Sequence, residues 1–257
     1  MRAIILAAGR GLRLQQTEDE HTPKCLLRFG GMTLLERHLR MLETVGVHDV
    51  VLALGFRHEL VAAELKRLHW RPAPQIVLNP HFDLGSVLTV HTVADAMTRG
   101  GEVLLMDADV LYDERILRAL AAGNRPVNRL LIDRDFEPGD EPVKVCVQAG
   151  IAVELRKHLA ADLQYDSIGE SVGFFRFNET GARRLAQLVA DYVDGGRANM
   201  PHEEAVRDLI RERSQMIEIA DVTGAPWIEI DFPVDVTRAA QEVLPQLQPL
   251  TGVVVTT

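Results

Sequence analysis

A chain of 257 residues, 47% hydrophobic and 25% charged, is long enough for one α/β domain and apolar enough to bury a core. Its formal net charge of -9 argues against a nucleic-acid partner, because phosphate backbones are held by basic surfaces. A nucleotide is still compatible with that charge where a few basic groups converge and a metal ion bridges the rest. Cys25 and Cys146 sit in no CxxC pair and the histidines show no HxxxH spacing, so free thiols are expected and a zinc site is not.

The start, MRAIILAA, is apolar but stops at Gly9-Arg10, too short for a signal peptide or a membrane span. A cytoplasmic location without a membrane partner is the resulting expectation. In chain order, residues 2–8 read as a buried strand and 33–45 as a helix with apolar residues at helical spacing. Residues 49–54 read as a strand, 59–68 as a helix and 75–78 as a strand. Residues 86–96 read as a helix despite their Val and Thr content, and 102–106 as a strand. This alternation predicts an α/β fold with a mostly parallel, doubly wound central sheet and helices on both faces.

The second half is less regular. Strands are expected at 129–133, 143–148 and 151–155, with a hairpin turn at Gln148-Ala149-Gly150 between the last two. A strand at 173–177, helices at 179–192 and 201–211, strands at 216–221 and 227–230, and a closing helix at 233–243 after a proline complete the pattern. No repeat or long linker divides the chain, so residues 1–250 read as one domain. Residues 1–125 form its nucleotide-binding half and 126–250 an irregular, partly antiparallel acceptor half. The tail at 251–257 is apolar and β-branched.

The first strand runs into Gly9-Arg10-Gly11-Leu12-Arg13. Two glycines allow a tight bend with amides turned toward an anion, and two arginines add charge there. No Lys-Ser/Thr follows, so this is not a P-loop, and Leu14 stands where a dinucleotide fingerprint needs its third glycine. A plain glycine turn with two solvated arginines is the alternative. Thr22-Pro23-Lys24 then fixes a lysine behind a proline as a positioned point charge. Farther on, the apolar strand at 102–106 ends in Asp107-Ala108-Asp109, and the strand at 227–230 ends in Asp231. Paired carboxylates beyond strand ends repel unless a cation sits between them, and Mg2+ suits such oxygen donors. The alternative for these aspartates is helix capping.

Taken together, LAAGRGLRL, TPKCLLRFGGMTLLER, MDADVLYD and WIEIDFPVD resemble the nucleotide-sugar pyrophosphorylase-like nucleotidyltransferases. The resemblance runs from residue 2 to about 243. It is closest to the branch of phosphocholine, phosphonate and inositol phosphate cytidylyltransferases. It implies that Leu6, Ala7, Ala8, Gly9, Arg10 and Gly11 surround the nucleotide, that Lys24 and Arg13 act on its phosphates, and that Mg2+ is the cofactor. Asp109 and Asp231 are the implied metal ligands, with Asp107 a close second to Asp109 and otherwise nucleotide-binding.

Asn79, Gly85 and Ser86 precede a helix, where small residues and free amides suit a nucleotide. Relatives that use phosphocholine often carry asparagines at the Gly85-Ser86 position, and aromatics make up only 5% of this chain, which speaks against choline itself. On the acceptor side, Lys144 and Lys157 are candidates for a phosphate, against solvated strand lysines as the alternative. Glu170 is the first choice for a pocket carboxylate, against a turn residue. Glu203 joins the acceptor set, although an acid at a helix start is favoured by the dipole alone. The reading is a cytidylyltransferase that moves CMP from CTP to a small phosphorylated or phosphonylated alcohol or amine and releases pyrophosphate, with a homodimer left open. A sugar-1-phosphate nucleotidylyltransferase using UTP, GTP or dTTP, or a catalytically silent homologue, are the alternatives.

Overall fold

Apolar residues that alternate along each strand send successive side chains to opposite faces. In a computed structural model describing residues 1–14 and 22–250, this alternation builds two cores, one on each side of a single large sheet. The first half contains β1 (Arg2–Ala7), a small hairpin of β2 (Arg28–Phe29) and β3 (Met32–Thr33), α1 (Leu34–Thr44), β4 (Asp49–Leu54), α2 (His58–Leu68) and β5 (Gln75–Leu78). It continues with α3 (Ser86–Thr92), α4 (Ala94–Thr98), β6 (Val103–Asp107), β7 (Val110–Tyr112) and α5 (Glu114–Ala121). The second half holds β8 (Asn128–Asp133), β9 (Lys144–Gln148), β10 (Ile151–Arg156), β11 (Ser167–Phe177), α6 (Glu179–Asp194), α7 (His202–Arg211), β12 (Ile217–Asp221), β13 (Trp227–Glu229) and α8 (Pro233–Arg238).

The large sheet has the order β5-β4-β1-β6-β11-β8-β12-β10-β9. The first four strands are parallel to one another, and β11 enters antiparallel beside β6. The far end is mixed, with β12 parallel to β8 and β10 antiparallel to both of its neighbours. Ala3 and Ile5 of β1 face the core built with α1, α2 and α5, while Ile4 faces the core built with α3, α4, α6 and α7. Each fully buried aliphatic side chain contributes about 1.5–3 kcal/mol of hydrophobic stabilisation. Arg176 of β11 lies buried and is neutralised by Glu102, at 2.8 and 2.9 Å, while its remaining nitrogen caps the carbonyls of residues 120–122 at the end of α5.

Several elements differ from the sequence pattern. The helix expected over 86–96 breaks at Val93 into α3 and α4, within the Val- and Thr-rich stretch where helix preference is weak. The strand expected at 173–177 is the last part of the eleven-residue β11. The closing helix is α-helical only to Arg238, then widens into a π turn over Ala239–Val243 and ends in a 3-10 turn, Leu244–Gln246. β7 and α5 were not anticipated. The turn at residues 149–150 joins β9 and β10 as a two-residue hairpin loop, with both residues at positive φ, 50° and 78°. The tail at 251–257 lies outside the described residues. Among the described residues, no helix is long and apolar enough to cross a membrane.

Candidate active site

Three distant segments meet beyond the ends of β1 and β6. Leu6 of β1 pairs in register with Asp107 of β6. The chain then turns through Asp109 into β7, which pairs antiparallel with β13. The Ile230 amide donates to the Asp109 carbonyl at 2.9 Å, which fixes the backbones of the two aspartate segments side by side. Asp235 holds the second segment from below: its Oδ2 accepts from the amides of Asp231 (3.0 Å) and Phe232 (2.7 Å). The side chain of Asp231 is thus free of capping duty, and Asp113, not Asp109, caps α5 by accepting from the Arg115 amide at 3.0 Å. A third apolar cluster, with Phe29, Leu34, Leu111, Ile230 and Ala239, clamps the β2–β3 hairpin, β7 and the closing segment together.

Lys24 begins a short 3-10 turn after Pro23. Its aliphatic stem runs over Gly11, where an added Cβ would lie 3.1 Å from the lysine Cγ; Gly11 itself has φ +64°. A side chain there would both strain the backbone and push the lysine aside. The Lys24 ammonium donates to Asp109 Oδ2 at 2.9 Å and to Asp231 Oδ1 at 2.6 Å. Arg13 binds the other oxygen of Asp231 at 2.8 Å, reaches Glu141 at 3.2 Å, and lies over the Phe232 ring at 5.2 Å. Glu141 also pairs with Lys157 at 3.0 Å.

Charge is unbalanced here. Burial alone works against the Lys24 ammonium, but Asp109 and then Asp231 outweigh it and hold its pKa above the ordinary lysine range. Asp107 is pushed well above the usual carboxylate range by burial, then by Glu203 and Asp109. Glu229 is exposed and lines the larger cavity. Desolvation, then Asp109 and Asp231, raises its pKa above the usual carboxylate range. One carboxylate oxygen each from Asp109, Glu229 and Asp231 lies within 4.8 Å of the others. The donor set is entirely oxygen, carries more negative charge than Lys24 and Arg13 neutralise, and already seats a cationic group between its members. It fits a hard divalent cation such as Mg2+.

Two cavities flank this cluster. The smaller, about 90 Å³, is lined by Leu6, Ala7, Gly9, Gly11, Lys24 and Asp109 among others. It joins most of the sequence-derived nucleotide loop to the lysine and a metal candidate. The larger, about 660 Å³, is lined by Arg13, Asp107, Lys157, Glu170, Glu203 and Asp231, together with Trp227 and Asp133. Its size suits a small organic ligand. The Trp227 indole donates to Asp133 at 2.8 Å. Glu170 stands opposite Asp133 in the β11–β8 register. Burial, then Asp133, pushes the Glu170 carboxyl up to about 7, partly offset by Lys144.

Glu170 is therefore a mid-strand residue facing a cavity and not a turn residue. Gly169 and Gly173, which resemble turn residues in sequence, serve close approach inside β11. An added Cβ at Gly169 would lie 2.7 Å from the Asp133 carbonyl, and one at Gly173 (φ +78°) would lie 2.5 Å from Asp107 Oδ2. The other acceptor lysine is placed differently from the sequence expectation. Lys144 donates to the carbonyls of Gly139 (2.6 Å) and Lys157 (2.7 Å), so its ammonium braces the loop that carries Glu141 and does not line the cavity.

The remaining nucleotide candidates form a supporting layer. Ala8 is buried and its carbonyl accepts from the Phe56 amide at 3.0 Å, while the Arg10 guanidinium stacks over the Phe56 ring at 5.5 Å. Asn79 is buried, donates to Thr89 at 3.1 Å and accepts from the His81 amide at 2.9 Å, so its amide is engaged inside the protein. Gly85 packs directly on the backbone of residues 199–200, and Ser86 Oγ accepts from the His202 amide at 2.8 Å. These contacts tie the start of α3 to the start of α7, where Glu203 faces the large cavity. Sequence reading missed Glu229, Asp133, Glu141, Trp227 and Asp235. The signal for Glu229 was present: Trp227, Glu229 and Asp231 alternate with apolar residues at strand period and share a face.

Residues 3–170 match the family model of the MobA-like NTP transferase domain. The bifunctional IPC transferase and DIPP synthase of Rubrobacter xylanophilus is 29% identical over 252 residues, which cover 94% of this chain and 52% of that protein. The chain thus spans about half the length of that relative. The 2-aminoethylphosphonate cytidylyltransferase of Lancefieldella rimae is 26% identical over 82% of this chain and 80% of its own. Among solved structures, the inositol-1-phosphate CTP transferase from T. maritima superposes with a TM-score of 0.75 at 20% identity, over 95% of both chains. That similarity shows a shared nucleotidyltransferase α/β fold.

Proposed function

Because the chain belongs to the family of MobA-like NTP transferase domains, we propose that it is a cytidylyltransferase that transfers CMP from CTP to a small phosphate- or phosphonate-bearing acceptor. Two of the proteins named above are, by their names, a 2-aminoethylphosphonate cytidylyltransferase and an inositol-1-phosphate CTP transferase. The observation that carries the reading is the convergence of Lys24, Asp109 and Asp231 beside a small cavity walled by the glycine turn.

An acceptor phosphate or phosphonate oxygen attacks the α-phosphorus of CTP. The bond from that phosphorus to the oxygen bridging it to the β-phosphorus breaks, and pyrophosphate carries the electron pair away. Gly9 and Gly11 of the turn, with Leu6 and Ala7 lining the same cavity, receive the nucleotide phosphates, and Arg13 and Lys24 neutralise charge that grows during transfer. Asp109 and Asp231, with Glu229 beside them, would hold Mg2+, which would supply Lewis-acid stabilisation of the phosphates. The large cavity receives the acceptor: Lys157 meets its anionic end, and Glu170, Asp133 and Trp227 meet its head. The chemistry needs little from the protein beyond this positioning, since two anions must be brought together against their repulsion. We read residues 1–125 as the nucleotide half and 126–250 as the acceptor half of one domain.

A matrix of CTP, UTP, GTP and dTTP against 2-aminoethylphosphonate, phosphocholine, inositol 1-phosphate and glucose 1-phosphate, read by pyrophosphate release, tests the reading. Turnover with CTP and one of the first three acceptors is expected. Turnover confined to glucose 1-phosphate, or none at all, contradicts it.

A further inference from the structure

Resting on that reading of the metal site, we infer that Lys24 is its exchangeable counter-ion, occupying the seat between Asp109 and Asp231 and yielding it to the divalent cation. The ammonium is within hydrogen-bond distance of both carboxylates, and Arg13 holds the second oxygen of Asp231. Two of the three candidate ligands therefore already satisfy a positive charge. Glu229 accepts no hydrogen bond from Lys24 or Arg13 and remains the open member of the set. A cation placed between Asp109 and Asp231 would stand beside an ammonium 2.6–2.9 Å from the same oxygens, and like charges at such distances repel strongly in a half-buried site. The two occupants are mutually exclusive.

The same stem offers the ammonium a second place. It crosses Gly11 so closely that a Cβ there would lie 3.1 Å from the lysine Cγ, on the wall of the cavity lined by Gly9 and Gly11, where the phosphates of the nucleotide are proposed to sit. Rotation of the outer lysine bonds carries the charge from the carboxylates toward that cavity. Metal entry and phosphate binding then favour the same lysine position, so each strengthens the other through a shared two-position element. In the absence of both ligands the salt bridges keep Asp109 and Asp231 paired with positive charge.

The test is Mn2+ binding without nucleotide, followed by the electron paramagnetic resonance signal of free Mn2+, on the wild type, Lys24→Gln and Lys24→Arg. Lys24→Gln is expected to bind Mn2+ at least about tenfold more tightly than wild type, the scale of an ordinary coupling between two sites. Lys24→Arg, which keeps the charge, is expected to stay near wild type. A second measurement needs no variant: acetylation of wild-type lysines by an activated ester, read by mass spectrometry, is expected to rise at Lys24 when Mg2+ is added. Equal or weaker Mn2+ binding by Lys24→Gln overturns the proposal and leaves the metal site standing. Lys24 labelling that stays constant or falls with Mg2+ overturns it equally. Absence of Mn2+ binding by all three proteins overturns it together with the metal assignment on which it rests.

Discussion

Replacing Glu170 with glutamine should stabilise the fold while weakening the site. Burial and Asp133 lift this carboxyl from its ordinary 4.5 to about 7. Between those values the folded chain holds a proton that the unfolded chain has released, so the folded state binds more protons and stability falls as pH rises through the window. At about 1.4 kcal/mol per pH unit, the displacement sets an upper bound of about 3 kcal/mol. The cavity beside Glu170 is open to solvent, which reduces the figure to about 1–2 kcal/mol. Glutamine has the same shape and no titration. Urea denaturation at pH 5 and pH 8 should therefore show Glu170→Gln gaining about 1–2 kcal/mol over wild type at pH 8 relative to their difference at pH 5. The same variant should raise KM for an amine-bearing acceptor and leave KM for CTP alone. With a polyol acceptor the effect should be mild, because an amide still hydrogen-bonds a hydroxyl. A stability difference that does not change with pH refutes the electrostatic account of Glu170, and an unchanged acceptor KM with every acceptor refutes its place in the pocket.

Other substitutions probe the remaining parts. Asp109→Asn and Asp231→Asn should each reduce kcat about a hundredfold or more with circular dichroism unchanged, as a few kcal/mol of transition-state stabilisation is lost; near-full activity at limiting Mg2+ would remove that residue from the metal set. Gly173→Ala forces a side chain into a positive-φ position and against Asp107, so it should cost about 1–3 kcal/mol in denaturation experiments and lower activity beyond that loss. Arg176→Met leaves Glu102 and the end of α5 without their shared donor and should destabilise by about 3 kcal/mol or more; a change below about 0.5 kcal/mol would show the pair to be dispensable.

The parallel half of the sheet was legible because each of its strands is a short apolar run between helical patterns, and β4 and β5 match the pattern to the residue. The helix α5 carries its own signals, with Asp113 at the cap and Ile116, Leu117 and Leu120 on one face, yet it lies in a segment whose aspartates draw attention to chemistry instead. β11 was cut short by Gly169 and Gly173, which read as turn formers when the reason for them is close packing against Asp133 and Asp107. That reason is tertiary and has no local trace. The site divides the same way. Lys24, Asp109 and Asp231 lie in ordered motifs that single out each residue, the aspartates as metal ligands and the lysine as a phosphate group, but their direct contacts have no trace in the spacing. Asp133 meets Trp227 across 94 positions and Arg13 meets Glu141 across 128, and no spacing rule links such pairs. Lys144 shows the converse: a lysine on a strand beside a candidate acceptor site looks like a phosphate ligand until its carbonyl partners appear.

The central claim, nucleotidyl transfer at the Lys24–Asp109–Asp231 cluster, is most directly tested by phosphorus NMR of the purified protein with CTP, Mg2+ and 2-aminoethylphosphonate, phosphocholine or inositol 1-phosphate in turn. With one of these acceptors, the account predicts that CTP is consumed while inorganic pyrophosphate and a mixed CMP anhydride of the acceptor appear in equal amounts, and that Asp231→Asn forms neither. CTP left intact with all three acceptors, or cleaved to CDP and phosphate, would contradict it.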